Sequence, residues 1–130
     1  MRVLYLSYDG LTDPLGGSQI MPYLIGLAKR GHDISVVSFE KAEASGQAHE
    51  ETGRQCAEAN IEWLPMRYHK QPPILSTVWD VEAMKRRVFD LHRRTGFDLV
   101  HCRSYIPALA GLALKRKRGV RFLFDMAACS

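Results

Sequence analysis

Leu27-Ala28-Lys29-Arg30-Gly31-His32-Asp33-Ile34-Ser35-Val36-Val37 changes its hydrophobic period in the middle. Upstream, Ile20, Leu24, Leu27 and Ala28 recur at i, i+4, i+7 and i+8, the spacing of one buried helix face. Downstream, Ile34-Ser35-Val36-Val37-Ser38-Phe39 is a short, largely apolar run of strand character. Gly31 stands at the junction, where a left-handed stop meets no Cβ penalty. The stretch predicts a helix over 18–30, capped by Ser18 and with Pro22 tolerable only near its start, that turns directly into a strand.

The alternation extends in both directions. Val3-Leu4-Tyr5-Leu6 is a strand too uniformly apolar for one exposed face, consistent with burial on both. Residues 47–58 form a polar helix, and Ile61-Glu62-Trp63-Leu64 a third strand ending at Pro65. Pro72-Pro73 marks a loop, and a helix follows over 76–94 with Val78, Val81, Met84, Val88 and Leu91 near one stripe. Gly96 precedes a fourth strand, Leu99-Val100-His101-Cys102. Ser104 caps the next helix, with Pro107 in its first turn and Leu109, Leu112 and Ala113 inward. Gly119 leads into a fifth strand, Val120-Arg121-Phe122-Leu123-Phe124. Helix-length connections between apolar strands predict right-handed βαβ units: an α/β fold with a doubly wound, Rossmann-like parallel sheet, one domain over 1–130. Such sheets usually continue past a fifth strand, so Asp125-Met126-Ala127-Ala128-Cys129-Ser130 reads as the edge of a truncated unit.

At 130 residues and 46% hydrophobic content the chain has room for one core and not two. Cys56, Cys102 and Cys129 are odd in number and widely spaced, which suits reduced thiols and neither a zinc site nor a disulfide framework. No apolar run reaches membrane-spanning length, and Asp9, Gly10 and Asp13 interrupt the apolar start too early for a signal peptide. A cytoplasmic protein is expected. The formal charge of +4 concentrates in Lys85-Arg86-Arg87, Arg93-Arg94 and Lys115-Arg116-Lys117-Arg118. These clusters are either solvated helix surface or a face for anionic lipid, phosphate or nucleic acid. Nucleic acid fits least, because no base-stacking aromatic pattern accompanies the charge.

Three places carry candidate chemistry. Gly16-Gly17-Ser18 ends the loop after the first strand, where doubly wound folds receive phosphates. The glycines either let backbone N–H groups approach an anion or serve a turn. Neither Gly-x-Gly-x-x-Gly nor Gly-x-x-x-x-Gly-Lys-Ser/Thr is present, which excludes a dinucleotide fingerprint and a P-loop. His101 and Arg103 fall on one side of the fourth strand at its carboxyl end, placed to meet hydroxyls or phosphate, or else bonded as ordinary strand-end residues. Asp125 ends the fifth strand at the same edge, as a base, a sugar contact or a structural acid. Cys102 has no identifiable base and reads as a small buried side chain. Trp63 and Trp79 read as core or interface packing.

Together these segments resemble the amino-terminal domain of the retaining, GT-B-type glycosyltransferases of family 4. The resemblance rests on Arg2-Val3-Leu4-Tyr5-Leu6, on Gly16-Gly17 before the first helix, on the junction quoted above, and on Phe97-Asp98-Leu99-Val100-His101 and Phe122-Leu123-Phe124-Asp125-Met126. It implies two Rossmann-like domains facing a cleft, this half holding the acceptor and an absent carboxyl-terminal half holding a nucleoside diphosphate sugar. It further implies Gly16, Gly17 and Ser18 reaching towards the donor diphosphate, Asp125 beside the transferred sugar, and His101 with Arg103 near the substrates. Neither metal nor other cofactor is implied. The family's usual continuation after the fifth strand is replaced by Ala127-Ala128-Cys129-Ser130, and the donor-gripping half is missing, so the chain alone is expected to be inactive. The alternative is a non-catalytic binding subunit completed by a separate donor-binding chain. A receiver-like signalling domain is disfavoured, because Asp9 and Asp98 do not supply the clustered acids it needs. Peripheral contact with an anionic membrane, through the basic clusters, extends the expectation to the inner face of the membrane.

Overall fold

A computed structural model describes residues 1–69 and 72–126. Its elements follow the order β1 (Arg2–Ser7), α1 (Pro14–Lys29), β2 (Asp33–Glu40), α2 (Gly46–Glu58), β3 (Glu62–Arg67), α3 (Pro73–Thr95), β4 (Leu99–Arg103), α4 (Tyr105–Arg118) and β5 (Arg121–Asp125). All pairings are parallel, and the sheet order is β3-β2-β1-β4-β5. Reversal of winding at β1 gives the doubly wound topology expected from the sequence, with helices on both faces.

The junction over residues 27–37 folds as its glycine requires. Gly31 takes φ +93°. The N–H groups of Gly31 and His32 return to the carbonyls of Ala28 and Leu27 at 3.0 and 3.3 Å, closing the helix before β2 departs.

Two cores follow from strand alternation. On one face Tyr5, Ile34 and Val36 meet Ile20, Leu24 and Cys56 from α1 and α2. On the other, Leu4, Leu6 and Val100 meet Met84, Val88 and Leu114 from α3 and α4. Each such fully buried side chain contributes roughly 1.5–3 kcal/mol of transfer free energy. The central strands β1, β2 and β4 are buried on both faces, whereas the edge strands β3 and β5 are only partly covered.

Several local expectations are corrected. α1 begins at Pro14, whose fixed φ and missing N–H suit a first helical position, so Asp13 and not Ser18 is the N-cap. Ser18 Oγ instead donates to the Leu15 carbonyl at 3.1 Å. Pro22 consequently lies in the helix interior. β3 runs through Pro65, which an edge strand tolerates, and Pro73 is helical because it too opens its helix. Val78 and Trp79 are exposed. At about 100° per residue, Val78 points well away from the mean direction of Val81, Met84, Val88 and Leu91.

In α4 the inward face is Pro107, Ala110, Gly111 and Leu114, while Leu109 is exposed and Leu112 and Ala113 are half-buried. The helix sits so close to the sheet that a Cβ at Gly111 would lie 2.3 Å from Cys102 Sγ, so only its small-residue face fits. Ser104 is the N-cap residue but makes no side-chain capping bond. Trp63 packs on the α1–α2 core and donates Nε1–H to Ser38 Oγ at 2.9 Å. The expectation for Cys129, like the segment 127–130, lies outside the described residues.

Candidate functional site

Parallel register places Tyr5, His101 and Leu123 side by side, and two residues further Ser7, Arg103 and Asp125. Alternation turns both rows to the face that α1 covers over β1 and β2. Beyond α1, the described residues leave β4 and β5 open on that face. The result is a cleft of about 830 Å³ whose polar lining is Tyr5, Gln19, Tyr23, His101, Arg103 and Asp125. His101, Arg103 and Asp125 are thus brought together as the strand pattern predicted.

Their electrostatics are specific. Burial pushes the His101 imidazole below its usual pKa, against the opposing pull of the nearby Asp125 carboxylate. His101 Nε2 lies 3.6 Å from Asp125 Oδ2. With the imidazole neutral at pH 7, this contact is a dipole facing a carboxylate and not an ion pair. The Tyr23 hydroxyl approaches Nδ1 at 3.4 Å, which suits proton placement on Nε2. Nε2 is buried and has no hydrogen-bond partner among the described residues.

Burial also pushes the Tyr5 hydroxyl up to about 12, partly offset by Arg103, and raises Tyr23. Arg103, buried itself, reaches Asp9 Oδ2 at 3.5 Å through Nε and donates from Nη2 to Gln19 Oε1. The next residue, Ser104, holds φ +73° and ψ −177°, a region nearly reserved for glycine, while its N–H bonds the Asp125 carbonyl at 2.8 Å. The arrangement offers a neutral imidazole N–H, phenolic hydroxyls, a guanidinium and a carboxylate within one open groove. That set suits hydrogen bonding to hydroxyl-rich ligands.

Gly16 and Gly17 are not in the cleft lining. Both sit in the first turn of α1, and Gly17 N–H already bonds the Asp13 carbonyl at 2.8 Å. A Cβ on Gly16 would stand 2.1 Å from the Gly10 carbonyl oxygen, and one on Gly17 would stand 3.0 Å from that of Leu11. Close approach of loop to helix therefore requires the first glycine, whatever else it does. The loop still lies beside the strand tips, tied to β4 by the Asp9–Arg103 contact.

Sequence reasoning missed the group that holds this loop. Glu40, buried at the end of β2, accepts from Leu11 N at 2.9 Å, Thr12 N at 3.1 Å and Thr12 Oγ1 at 2.6 Å, and from Ser38 Oγ. An acid at this position binds ribose in dinucleotide folds; here its lone pairs are taken up by the chain itself. Gln19 and Tyr23 were also missed, although their i, i+4 spacing on α1 signals a shared face. A second missed cluster is Asp80, fully buried in α3, which accepts from Tyr8 OH at 2.8 Å and meets His69 Nδ1 at 2.7 Å. Its signal was a carboxylate in phase with Met84, Val88 and Leu91.

Burial raises the thiols of Cys56 to about 11 and Cys102 to about 12, which leaves both unreactive. Among the described residues no group of His, Cys, Asp and Glu side chains could hold a metal ion, and no helix is long and apolar enough to cross a membrane.

Comparison with known proteins puts this geometry in context. The profile of a family described as "Glycosyl transferase 4-like domain" matches residues 17–128. No curated protein matches the chain. Among solved structures, the C-terminal domain of PF1911 hydrogenase from Pyrococcus furiosus superimposes with a TM-score of 0.70 at 14% identity, covering 95% of this chain and 90% of that one. A glycosyltransferase from Rickettsia africae ESF-5 gives 0.62 at 15% identity, over 95% of this chain and 29% of that chain. Acinetobacter baumannii MurG gives 0.53 at 16% identity, over 95% and 34% respectively. At these identities the structural likenesses speak for the fold alone.

Proposed function

The chain belongs to the glycosyl transferase 4-like domain family, and on that premise we propose that it forms the amino-terminal, acceptor-side half of a GT-B glycosyltransferase. The reaction moves a sugar from a nucleoside diphosphate sugar to an acceptor hydroxyl with retention. The bond from the anomeric carbon to the diphosphate breaks, the acceptor oxygen bonds that carbon on the same face, and the acceptor proton passes to the departing diphosphate.

The observation that carries this reading is the open groove at the tips of β4 and β5, with His101 Nε2 facing Asp125 across it. In it His101 and Arg103 orient the acceptor, and Asp125 hydrogen-bonds hydroxyls of the transferred sugar. The amino-terminal end of α1, which carries Gly16, Gly17 and Ser18, turns its positive dipole end towards the donor diphosphate. The donor's grip comes from a second Rossmann-like domain outside these residues. The basic clusters of the second half fit an acceptor presented at an anionic membrane.

Reconstitution tests the proposal. The chain is mixed or fused with a donor-binding half and assayed for transfer from a panel of labelled nucleoside diphosphate sugars. Transfer that needs both halves and is lost in Asp125→Asn and Arg103→Ala supports it. Binding of acceptors without transfer in any pairing favours a non-catalytic subunit.

A further inference from the structure

Asp80 is fully buried in α3, one turn before Met84 and on the same inner face. A carboxylate is costly there unless donors meet its charge. Three do. Oδ2 accepts from Tyr8 OH at 2.8 Å and from the His69 backbone N–H at 3.3 Å, and Oδ1 meets His69 Nδ1 at 2.7 Å. The Tyr8 ring is itself held against Phe39 and Tyr68, with centroids at 5.0 and 5.2 Å. Burial, reinforced by Asp80, keeps the Tyr8 hydroxyl above its usual pKa, so it stays a donor.

The acid decides how the imidazole presents itself. An ionised carboxylate only accepts, so neutral His69 carries its hydrogen on Nδ1 and its lone pair on Nε2. The His69 side chain is 40% exposed while that of Asp80 is 0%, so Nδ1 turns inward and the edge carrying Nε2 is left towards solvent. Among the described residues no hydrogen bond reaches Nε2. Holding the β3–α3 connection needs only an acceptor for the His69 N–H, which an asparagine or serine supplies without burying a charge. The carboxylate does more: it fixes tautomer and ring orientation, as acids do behind imidazoles that contact a ligand. His69 lies two residues beyond β3 and Tyr8 one beyond β1, so the pair belongs to the carboxyl-end rim, where doubly wound folds bind ligands. It stands on the α3 side of the sheet, whereas the cleft opens on the α1 side.

We propose that His69 binds a saccharide hydroxyl at a second subsite on this rim, its Nε2 accepting the hydrogen bond, and that Asp80 is its positioning residue. An anion fits less well, because Nε2 offers a lone pair and Asp80 keeps negative charge behind it. The hydroxyl belongs to the acceptor, on a sugar unit remote from the one seated beside His101. β3 and β4 are three strand spacings apart, about 14 Å, and the two imidazoles belong to opposite sides of the sheet. One sugar ring does not reach both, so the subsite selects an oligosaccharide acceptor over a single sugar. This subsite presupposes the saccharide reading of the rim and leaves the chemistry at the cleft unchanged.

Imidazole nitrogen NMR of the labelled full chain, titrated with methyl glucoside, maltotetraose, cellotetraose and uridine diphosphate glucose, tests it. Neutral His69 should show its hydrogen on Nδ1. D80N should move that hydrogen to Nε2, because the amide then donates to Nδ1. A tetrasaccharide should shift His69 Nε2 together with the cleft signals, and methyl glucoside the cleft signals alone. H69A should weaken tetrasaccharide binding about fivefold, the worth of one neutral hydrogen bond, and leave methyl glucoside binding unchanged. D80N should weaken the tetrasaccharide as well. Circular dichroism checks its fold, and H69A, at a half-exposed position, carries the test if D80N unfolds. Tetrasaccharide shifts confined to the cleft, with H69A binding as the parent does, overturn the subsite and leave the cleft reading standing. Hydrogen on Nε2 in the parent overturns the positioning role of Asp80. A His69 shift with uridine diphosphate glucose alone gives the residue to the donor and overturns the acceptor assignment. No shift with any probe overturns both the subsite and the saccharide reading beneath it.

Discussion

His101 Nε2 and Asp125 Oδ2 face one another at 3.6 Å across the adjacent parallel strands β4 and β5, and among the described residues the imidazole nitrogen has no partner within hydrogen-bond distance. The pair is held from below by Tyr5 and from the side by Tyr23, whose rings lie 4.7 and 5.5 Å from that of His101. A buried neutral imidazole therefore stands at the floor of an open groove, with a carboxylate at its rim.

That burial makes folding pH-dependent. The folded-state pKa of His101 is depressed, so its contribution is fully present above the unfolded value of about 6.5 and is lost as pH falls through the lower folded value. Urea midpoints should decline as pH drops below about 6.5. His101→Gln should flatten that part of the curve, and a variant as pH-sensitive as the parent would assign the decline to other groups.

Ser104 holds its strained backbone so that its N–H can bond the Asp125 carbonyl. Ser104→Gly keeps the bond and removes the Cβ penalty, so it should stabilise the fold by about 1 kcal/mol in chemical denaturation, the lower end of the strain range. A loss of stability would show that the serine side chain matters more than the backbone.

The two glycines of α1 should respond differently. Gly16→Ala drives a Cβ into a backbone oxygen at 2.1 Å and should cost about 2–3 kcal/mol or more. At Gly17 the contact is 3.0 Å with the Leu11 carbonyl, and alanine's better helix propensity offsets part of the crowding, so the net change should stay within about 1 kcal/mol. Equal effects would mean that loop packing is not what distinguishes the two positions.

Glu40→Gln replaces an acceptor-only group with one that points an NH₂ at donors. With Leu11 N, Thr12 N and Thr12 Oγ1 competing for one remaining oxygen, stability should fall by roughly 2–4 kcal/mol, the range of one to two charge-assisted bonds. Hydrogen exchange should quicken first at residues 11 and 12. An unchanged exchange pattern there would remove Glu40 from its loop-holding role.

The fold was legible because it depends on period and punctuation. Strands too apolar for a half-exposed sheet and stops at Gly31 and Gly119 point to one winding, and Gly119 takes the left-handed conformation as Gly31 does. What escaped was phase and polar partnership. The sequence pattern points Leu109 inward, yet Gly111 shows that α4 needs its smallest face against β4. Ser18 has the chemistry of a cap, although Pro14 opens the helix earlier. The strand-end trio His101, Arg103 and Asp125 was visible from alternation alone, whereas Tyr5, Gln19 and Tyr23 join them only through sheet register and the path of α1. Glu40 and Asp80 were invisible as partners, because each acts on residues far away in sequence.

Titration of the isotopically labelled chain with soluble oligosaccharides and glycolipid headgroups, followed by amide and imidazole NMR shifts, reads out whether the groove at β4 and β5 binds saccharide. A saccharide-binding groove predicts shifts gathered at Gln19, Tyr23, His101, Arg103 and Asp125, with a hydrogen bond appearing at His101 Nε2, and their loss in Asp125→Asn. Shifts that fall elsewhere on the surface, or an Asp125→Asn variant that binds as the parent does, would contradict it.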